Sequence, residues 1–537
     1  MDLLSDVQTA SDFLGEGSYG CVYYPGIDCK GKKNTKKTVT KVQEINFYST
    51  NEKKIGLYIK KHITNYKKFY GSIIKACIIT FDIVEKSNLD LKKCNVLFED
   101  YNSSYANTMY ETQTIEDKED KEDKEDKEDK EDKEDKHDTL KTHVNEKYFL
   151  MYSYYIKNKT LKDYYSASSN SASSNSASSN SASSNSASSN SASSNSSTTS
   201  ISVSSDSDSS TTSISTSIST SNINFVISML NNFSYLLTAL SLLNKYKIIH
   251  NDLHVNNILI NLKTNKPVVI DFGLSFLINN CYKLNKTAID FYYLKKFIFD
   301  FRLDHYHINI EKRFMCFFVY NGSDDFYSIV DTNDAENLLT KTNIDLFITD
   351  AYYSIVNNKE IREFFTDDEL SEYKKALQQF YYQFYNKTDY PTYTSILKYL
   401  LDFVYAYNDL YSLTIDLLYI YINSSFFLVN IDTTENKNLK IFLDFFIQLY
   451  KKVLYPDPNM RLKINEVYNI YMFIINYIKT LEINDDAKYS ADFVIAFTKF
   501  LKSKSISIEV VFNTKFAFLN FNLLCSKTMF EFVKLHI

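Results

Sequence analysis

An aspartate at 252, an asparagine five residues later at 257 and a second aspartate at 271 are the residues whose types and spacing could do chemistry. They lie in His250-Asn251-Asp252-Leu253-His254-Val255-Asn256-Asn257-Ile258-Leu259-Ile260 and in Asp271-Phe272-Gly273. A carboxylate can receive or orient the proton of an attacking hydroxyl. An amide oxygen and a second carboxylate can hold metal ions against phosphate charge, so the set suits phosphoryl transfer. The same chemistry asks for three things earlier in the chain: backbone that covers phosphates, a lysine, and a glutamate to hold that lysine.

The elements that must position these residues can be read in order. Only nine glycines occur in 537 residues, yet Gly15, Gly17, Gly20, Gly26 and Gly31 fall within the first 31. Leu14-Gly15-Glu16-Gly17-Ser18-Tyr19-Gly20-Cys21-Val22 reads as strand, tight turn, strand, with glycines that let backbone N–H groups approach phosphates. A dinucleotide-binding fold uses the same glycine spacing but continues into a helix; here Cys21-Val22-Tyr23-Tyr24 continues as a β-run. Thr38–Val42 alternates like a strand and carries Lys41 inside it. Residues 51–63 suggest an amphipathic helix, with Ile55, Tyr58, Ile59 and Ile63 on one face. Glu52, near its start, could reach Lys41, and Glu44 is the alternative partner. Residues 73–84 and 93–100 look like further strands, and 148–155 is an apolar strand followed by a helix that Thr160 would cap. The backbone around Met151 to Tyr154 could pair with a planar base. Residues 225–246 form a long apolar-striped helix leading to His250, and Ile258–Ile260 with Val268–Ile270 makes a hairpin that sets Asn257 near Asp271.

Two segments resist a packed reading. A Glu-Asp-Lys triplet repeat fills much of 115–137, without hydrophobic periodicity. Six copies of Ser-Ala-Ser-Ser-Asn occupy 166–195 and run on into a Ser/Thr-rich tract to about 221, a composition that reads as disorder. The net charge of −6 and a pI near 5.9 give no case for nucleic-acid binding. Seven cysteines without metal-ligand spacing suggest reduced, packed thiols in a reducing compartment. No basic segment followed by an apolar one opens the chain, and no apolar run is long enough to span a bilayer. The expectation is a soluble, cytoplasmic, monomeric protein with no membrane partner.

Taken together, GEGSYGCV, TVTK, NEKKI, HNDLHVNN, DFG, NDLYSL and DPNMR, in this order, resemble the protein kinase superfamily. The resemblance covers roughly 10–480 without the inserts. The HNDLHxNNILI form and the long inserts are similar to serine/threonine kinases of large nucleocytoplasmic DNA viruses, which would place the chain in host cytoplasm or virion. The resemblance implies an α+β, bilobal fold: a small β-rich N-lobe and hinge over 10–165, a disordered insert over 166–221, a helical C-lobe over 222–480 and an extension over 481–537. Within the C-lobe, about 275–405 would be an expanded activation and insert region. It implies ATP and Mg2+ as ligands and a protein substrate with Ser/Thr hydroxyls. Asp252 becomes the catalytic base, Asn257 and Asp271 the metal ligands. Leu14, Gly15, Glu16, Gly17, Ser18, Tyr19, Gly20, Val22, Lys41, Glu52 and Met151 form the nucleotide site. His250 is then structural. Asp409 caps the catalytic loop from the core helix, with Asp290 as the alternative.

Three departures bear on substrate and regulation. Asn251 stands where the family has arginine, so a phosphorylated loop would lack its usual basic partner. His254 stands where Ser/Thr kinases carry a lysine, and no Ala-Pro-Glu is visible. A small-molecule kinase of the same fold and a nucleotide-binding pseudokinase scaffold are the alternatives.

Overall fold

In the computed structural model the described residues are 11–17, 20–33, 38–87, 89–97, 147–170, 211–283, 288–299, 307–320, 339–385, 389–390, 392–422, 447, 449–480 and 486–506. The charged repeat expected over 115–137 lies outside them. So do Ser18, Tyr19, 171–210 within the Ser-rich insert, and 507–537 within the expected extension.

The architecture is mixed α+β, with an antiparallel sheet in the N-terminal region and helices after it. Strands β1 (Asp12–Gly17), β2 (Gly20–Tyr24), β3 (Thr38–Glu44), β4 (Lys75–Thr80) and β5 (Lys147–Tyr154) form one sheet in the order β1-β2-β3-β5-β4. Its registers set Lys41 of β3 opposite Val22 on one side and Met151 on the other. Between β3 and β4 runs α1 (Phe47–His62), started by a reciprocal cap: the Asn46 side chain accepts from the Ser49 amide and the Ser49 hydroxyl from the Asn46 amide. The cap fixes where the helix begins. Its buried face then runs Ser49, Glu52, Ile55, Gly56 and Ile59, which turns a glutamate inward with the apolar stripe.

The expectation of strands over 73–84 and 93–100 is corrected in part. The strand ends at Thr80; Phe81–Glu85 is a short helix (α2) and Leu91–Lys93 a 3₁₀ turn. Phe81 and Val84, three residues apart, are both buried against the sheet, a pattern that a short apolar run satisfies as helix or strand alike. This segment also overturns the expectation of reduced thiols. Cys94 is bonded to Cys21 and Cys77 to Cys29, pairs 73 and 48 residues apart that the sheet brings to Cα separations of 5.9 and 6.1 Å. Spacing along the chain could not reveal them. Cys281 and Cys316 are buried and form no disulfide among the described residues.

After β6 (Asn158–Thr160), α3 (Leu161–Asn170) starts at Thr160, whose hydroxyl accepts from the Asp163 amide. Helix α4 (Thr211–Lys245) begins within the tract expected to be disordered, as α3 ends within it. Both continue helices whose other ends are packed, and propagation costs far less than nucleation. Strand β7 (Ile248–Ile249) then leads to β8 (Ile258–Asn261) and β9 (Lys266–Val269), a hairpin paired on its outer side with β6. Further on come β10 (Phe276–Leu277), β11 (Tyr282–Lys283), β12 (Ala288–Ile289), α5 (Phe291–Leu294, continued as a π-turn to Phe299) and α6 (Ile310–Tyr320). Next are α7 (Lys341–Val356), α8 (Lys359–Arg362), α9 (Asp367–Tyr381), α10 (Tyr393–Ile422), α11 (Ile464–Thr480) and α12 (Asp486–Ser503). The expected apolar helix from 408 to 422 is the second half of the longer α10.

Two main groups of buried apolar residues result. One lies on the sheet with α2 and the 89–97 segment; the other, larger, gathers the helices from α4 onward and takes in Ile55, Ile59 and Ile63 of α1. Tyrosine hydroxyls fasten the helices by their backbones: Tyr471 donates to the Leu230 carbonyl at 2.7 Å and Tyr405 to that of Asn244 at 2.6 Å. Among the described residues no helix is long and apolar enough to cross a membrane.

Gly56 gives a test of how tightly α1 is seated. A Cβ at this position would stand 2.9 Å from both the amide nitrogen and the carbonyl oxygen of Ile73. Helix propensity alone favours alanine by about 1 kcal/mol, and forced overpacking against backbone costs about 1–3 kcal/mol. The clash should win, so Gly56→Ala is expected to lower the melting temperature by several degrees. Unchanged or raised melting would mean that α1 is free to move off Ile73.

Candidate functional site

Lys41 is the natural starting point. Its ammonium lies 2.9 Å from Glu52 Oε2 of α1 and 3.7 Å from Asp271 Oδ1. The Glu44 alternative is not the partner in this geometry; Glu44 is exposed at the end of β3. Burial would push the lysine down, but the carboxylates of Glu52 and Asp271 outweigh it and hold the ammonium above its ordinary range. The Glu52 carboxyl is raised by its burial, with Lys41 pulling the other way. Asp271 is lowered despite burial, chiefly by Lys41 and by the Gly273 amide that donates to it.

Asp252 and Asn257 form the other half. Asn257 Nδ2 donates to the Asp252 carbonyl at 2.8 Å and to its Oδ2 at 3.2 Å. With the amide nitrogen so committed, the amide oxygen is the atom a cation would use. The β8–β9 hairpin closes this half onto Asp271: the Ile270 amide donates to the Asn257 carbonyl at 2.9 Å. Asn251 and Asp271 both take left-handed backbone, with φ of 70° and 58°. Asn and Asp are the non-glycine residues that tolerate this region best, and such backbone gathers at functional sites.

Each loop is tied to a different element. Asp409 of α10 accepts the His250 amide at 2.7 Å and the Asn251 amide at 2.9 Å. Asp290 instead caps α5 by accepting from the Tyr293 amide. The His250 ring donates from Nε2 to the Ile270 carbonyl and packs edge-on against Phe272, so it braces the two loops. From α1, Asn51 donates to the carbonyls of Gly273 and Ser275 at 3.0 and 2.6 Å. Thus the helix that holds Glu52 also holds the segment carrying Asp271. His254 Nε2 lies 3.9 Å from Asp252 Oδ2; burial lowers this imidazole more than the carboxylates near it raise it.

The remaining expected residues separate into groups. Leu14, Gly15, Glu16 and Gly17 line β1, and Gly20 and Val22 lie on β2, joined across the turn whose Ser18 and Tyr19 are not described. Glu16 accepts from the Val96 amide. Gly20 is required by the fold itself, since a Cβ there would stand 2.2 Å from the Val42 carbonyl oxygen. Gly15 is not: a Cβ would meet nothing within 4 Å. Met151 is a correction. It is fully buried mid-strand, in register with Lys41 on one side and Ala76 on the other, so its backbone is engaged within the sheet. Ser153 and Tyr154, beyond the end of β4, pair with β3 alone.

Sequence reasoning missed Glu311 and Lys312. Glu311 Oε2 accepts from Arg461 Nη1 at 2.8 Å, both side chains being wholly buried. Arg461 also donates to the carbonyls of Tyr455 and Pro456 and stacks on Tyr407. A glutamate thus fastens the far end of the segment that begins at Asp271, although Asn309-Ile310-Glu311 shares only that glutamate with Ala-Pro-Glu. The buried Arg461 after Asp457-Pro458 was the available signal.

No protein-family model matches the chain, and no curated protein matches it.

Removing Lys41 should leave Glu52 buried without its counter-charge, at a cost of about 3–5 kcal/mol. Lys41→Met is therefore expected to unfold at markedly lower urea concentration at pH 7. A Glu52 carboxyl raised above its unfolded value favours the folded state below the unfolded pKa and loses that advantage as pH rises through the folded one. The deficit of Lys41→Met should then shrink between pH 7 and pH 5. A deficit that stayed constant or grew would mean that Glu52 finds another partner.

Proposed function

We propose that this chain is an ATP- and Mg2+-dependent protein kinase of bilobal fold that phosphorylates Ser/Thr hydroxyls, with Asp252 as catalytic base. The observation that carries the reading is the convergence of Lys41, Glu52 and Asp271 beside the hydrogen-bonded Asp252–Asn257 pair. A charged lysine held between two carboxylates is a costly arrangement for packing alone, and is suited to receiving phosphate oxygens.

The two groups of buried apolar residues support a division into lobes. The nucleotide would lie beneath the β1–β2 turn, where the open space around Gly15 leaves room for phosphate to approach backbone. The unpaired edge of β5 at Ser153 and Tyr154 would face the base. Asn257 and Asp271 would hold Mg2+, which supplies charge neutralisation at the phosphates when bound. The chain's own residues do the rest. Lys41 meets phosphate charge, Glu52 keeps Lys41 extended, and Asn51 keeps the Asp271 segment against α1. Asp252 takes up the proton of the acceptor hydroxyl, its carboxylate oriented by Asn257. Catalysis is then mainly positioning and fixed charge.

The test is transfer of labelled γ-phosphate from ATP with Mg2+ to generic protein acceptors and to a panel of hydroxyl-bearing metabolites. Labelled phosphoserine or phosphothreonine is expected, and Asp252→Asn should reduce the rate about 10²- to 10⁴-fold. Label appearing only in metabolites would replace the protein-kinase reading by the small-molecule one. Nucleotide binding without transfer to any acceptor would point to a scaffold.

A further inference from the structure

Lys312, on α6, is an ammonium-bearing side chain with almost no exposure, deep beside the catalytic loop. Its Nζ donates to Asn251 Oδ1 at 2.7 Å. The same amide donates from Nδ2 to the Leu274 carbonyl at 3.1 Å and to the Phe297 carbonyl at 2.9 Å. A side-chain amide has one acceptor oxygen and two donor hydrogens. The ammonium can only donate, so its contact with the oxygen decides which way the amide faces. Both N–H groups are thereby directed at carbonyls, one two residues beyond Phe272 and one on the π-turn after α5. The backbone at Asn251 is left-handed and its amide is held by Asp409, so neither end of the residue is free.

Around Lys312 stand Cys316, Asp252 and Asp409. Burial pushes its ammonium down to about 7, against the pull of these three groups. Charged or neutral, the nitrogen keeps hydrogens to donate, so the orientation of Asn251 survives either state. Burying an ammonium costs free energy, and the bond to Asn251 Oδ1 offsets part of that cost. Beside it a cavity about the size of one water molecule is bounded by Asn251, Asp252, His254, His307 and Ser412.

We propose that Lys312 is a positioning residue for phosphoryl transfer: acting through Asn251, it fixes the backbone that presents Asp252 and ties it to the segment carrying Asp271. The proposal rests on the phosphotransfer reading.

The experiment is a double-substitution cycle on the full chain, read as kcat and as KM for ATP. Lys312→Met is expected to lower kcat about 10- to 100-fold, with KM for ATP changed less than about 2-fold. In an Asn251→Ala background the same substitution should cost less than about 3-fold, because the residue through which Lys312 acts is gone. Lys312→Gln, which keeps a donor, should lose less than Lys312→Met. Equal losses in both backgrounds, or a kcat unchanged by Lys312→Met, overturn the proposal and leave the phosphotransfer reading standing. If Lys312→Met does not fold, the comparison is made with Lys312→Leu, which likewise removes the donor, and an unchanged kcat there overturns it equally. A wild-type chain that transfers phosphate to no acceptor overturns both.

Discussion

The carboxylate of Asp409 is the constraint on which the candidate site depends. It accepts the consecutive amides of His250 and Asn251, on a helix whose Leu410, Tyr411 and Leu413 are buried in the larger apolar group. Two parallel N–H bonds to one carboxylate are charge-assisted and directional. They fix the loop's entry, and the left-handed turn at Asn251 follows from having both amides point the same way. Everything downstream inherits that geometry. His250 carries it to Ile270 and Phe272, Asn257 carries it to Asp252 and Ile270, and Ser275 returns it by donating to the His250 carbonyl.

The charged groups of the site fall into two regimes. Lys41, Glu52 and Asp271 form a cluster with one open side, Asp271 keeping 41% of its side-chain surface. Solvent and ligand can reach that side, so the cluster is held together without being closed. Glu311 and Arg461 have no exposed surface at all. Such a pair gains little net stability over apolar residues of the same size, yet breaking it is severe. Its effect is on uniqueness: one glutamate finds one arginine, and the segment between Asp271 and Glu311 has a defined end.

The sequence was informative where chemistry and periodicity coincide in a short window. Asp252, Asn257 and Asp271 sit around one hairpin, so their proximity follows from strand alternation and a turn. Lys41 stands out because it interrupts an apolar strand, and Glu52 because it lies near the start of an amphipathic helix. Legibility failed where position depends on partners distant in the chain. Glu311 and Lys312 carry no motif, and their contacts exist only once α6 lies against α10 and the loop that holds Asn251. The disulfides were hidden for the same reason, since Cys21 meets Cys94 through sheet geometry rather than spacing. Met151 failed differently: strand periodicity located β5 but could not say where β4 stops covering it, and that boundary decides which backbone groups are free.

The bond from Asp409 to His250 spans 159 residues, and that from Arg461 to Glu311 spans 150. These separations order events during synthesis. At roughly 5–20 residues per second, a ribosome needs about 8–30 s to travel from the His250 loop to its anchor. Through that interval the N-terminal sheet and the loop have already been made, and the helix that anchors the loop has not. The candidate site is therefore among the last parts of the chain to become native, and a nascent or prematurely ended chain has the residues of that site without their arrangement.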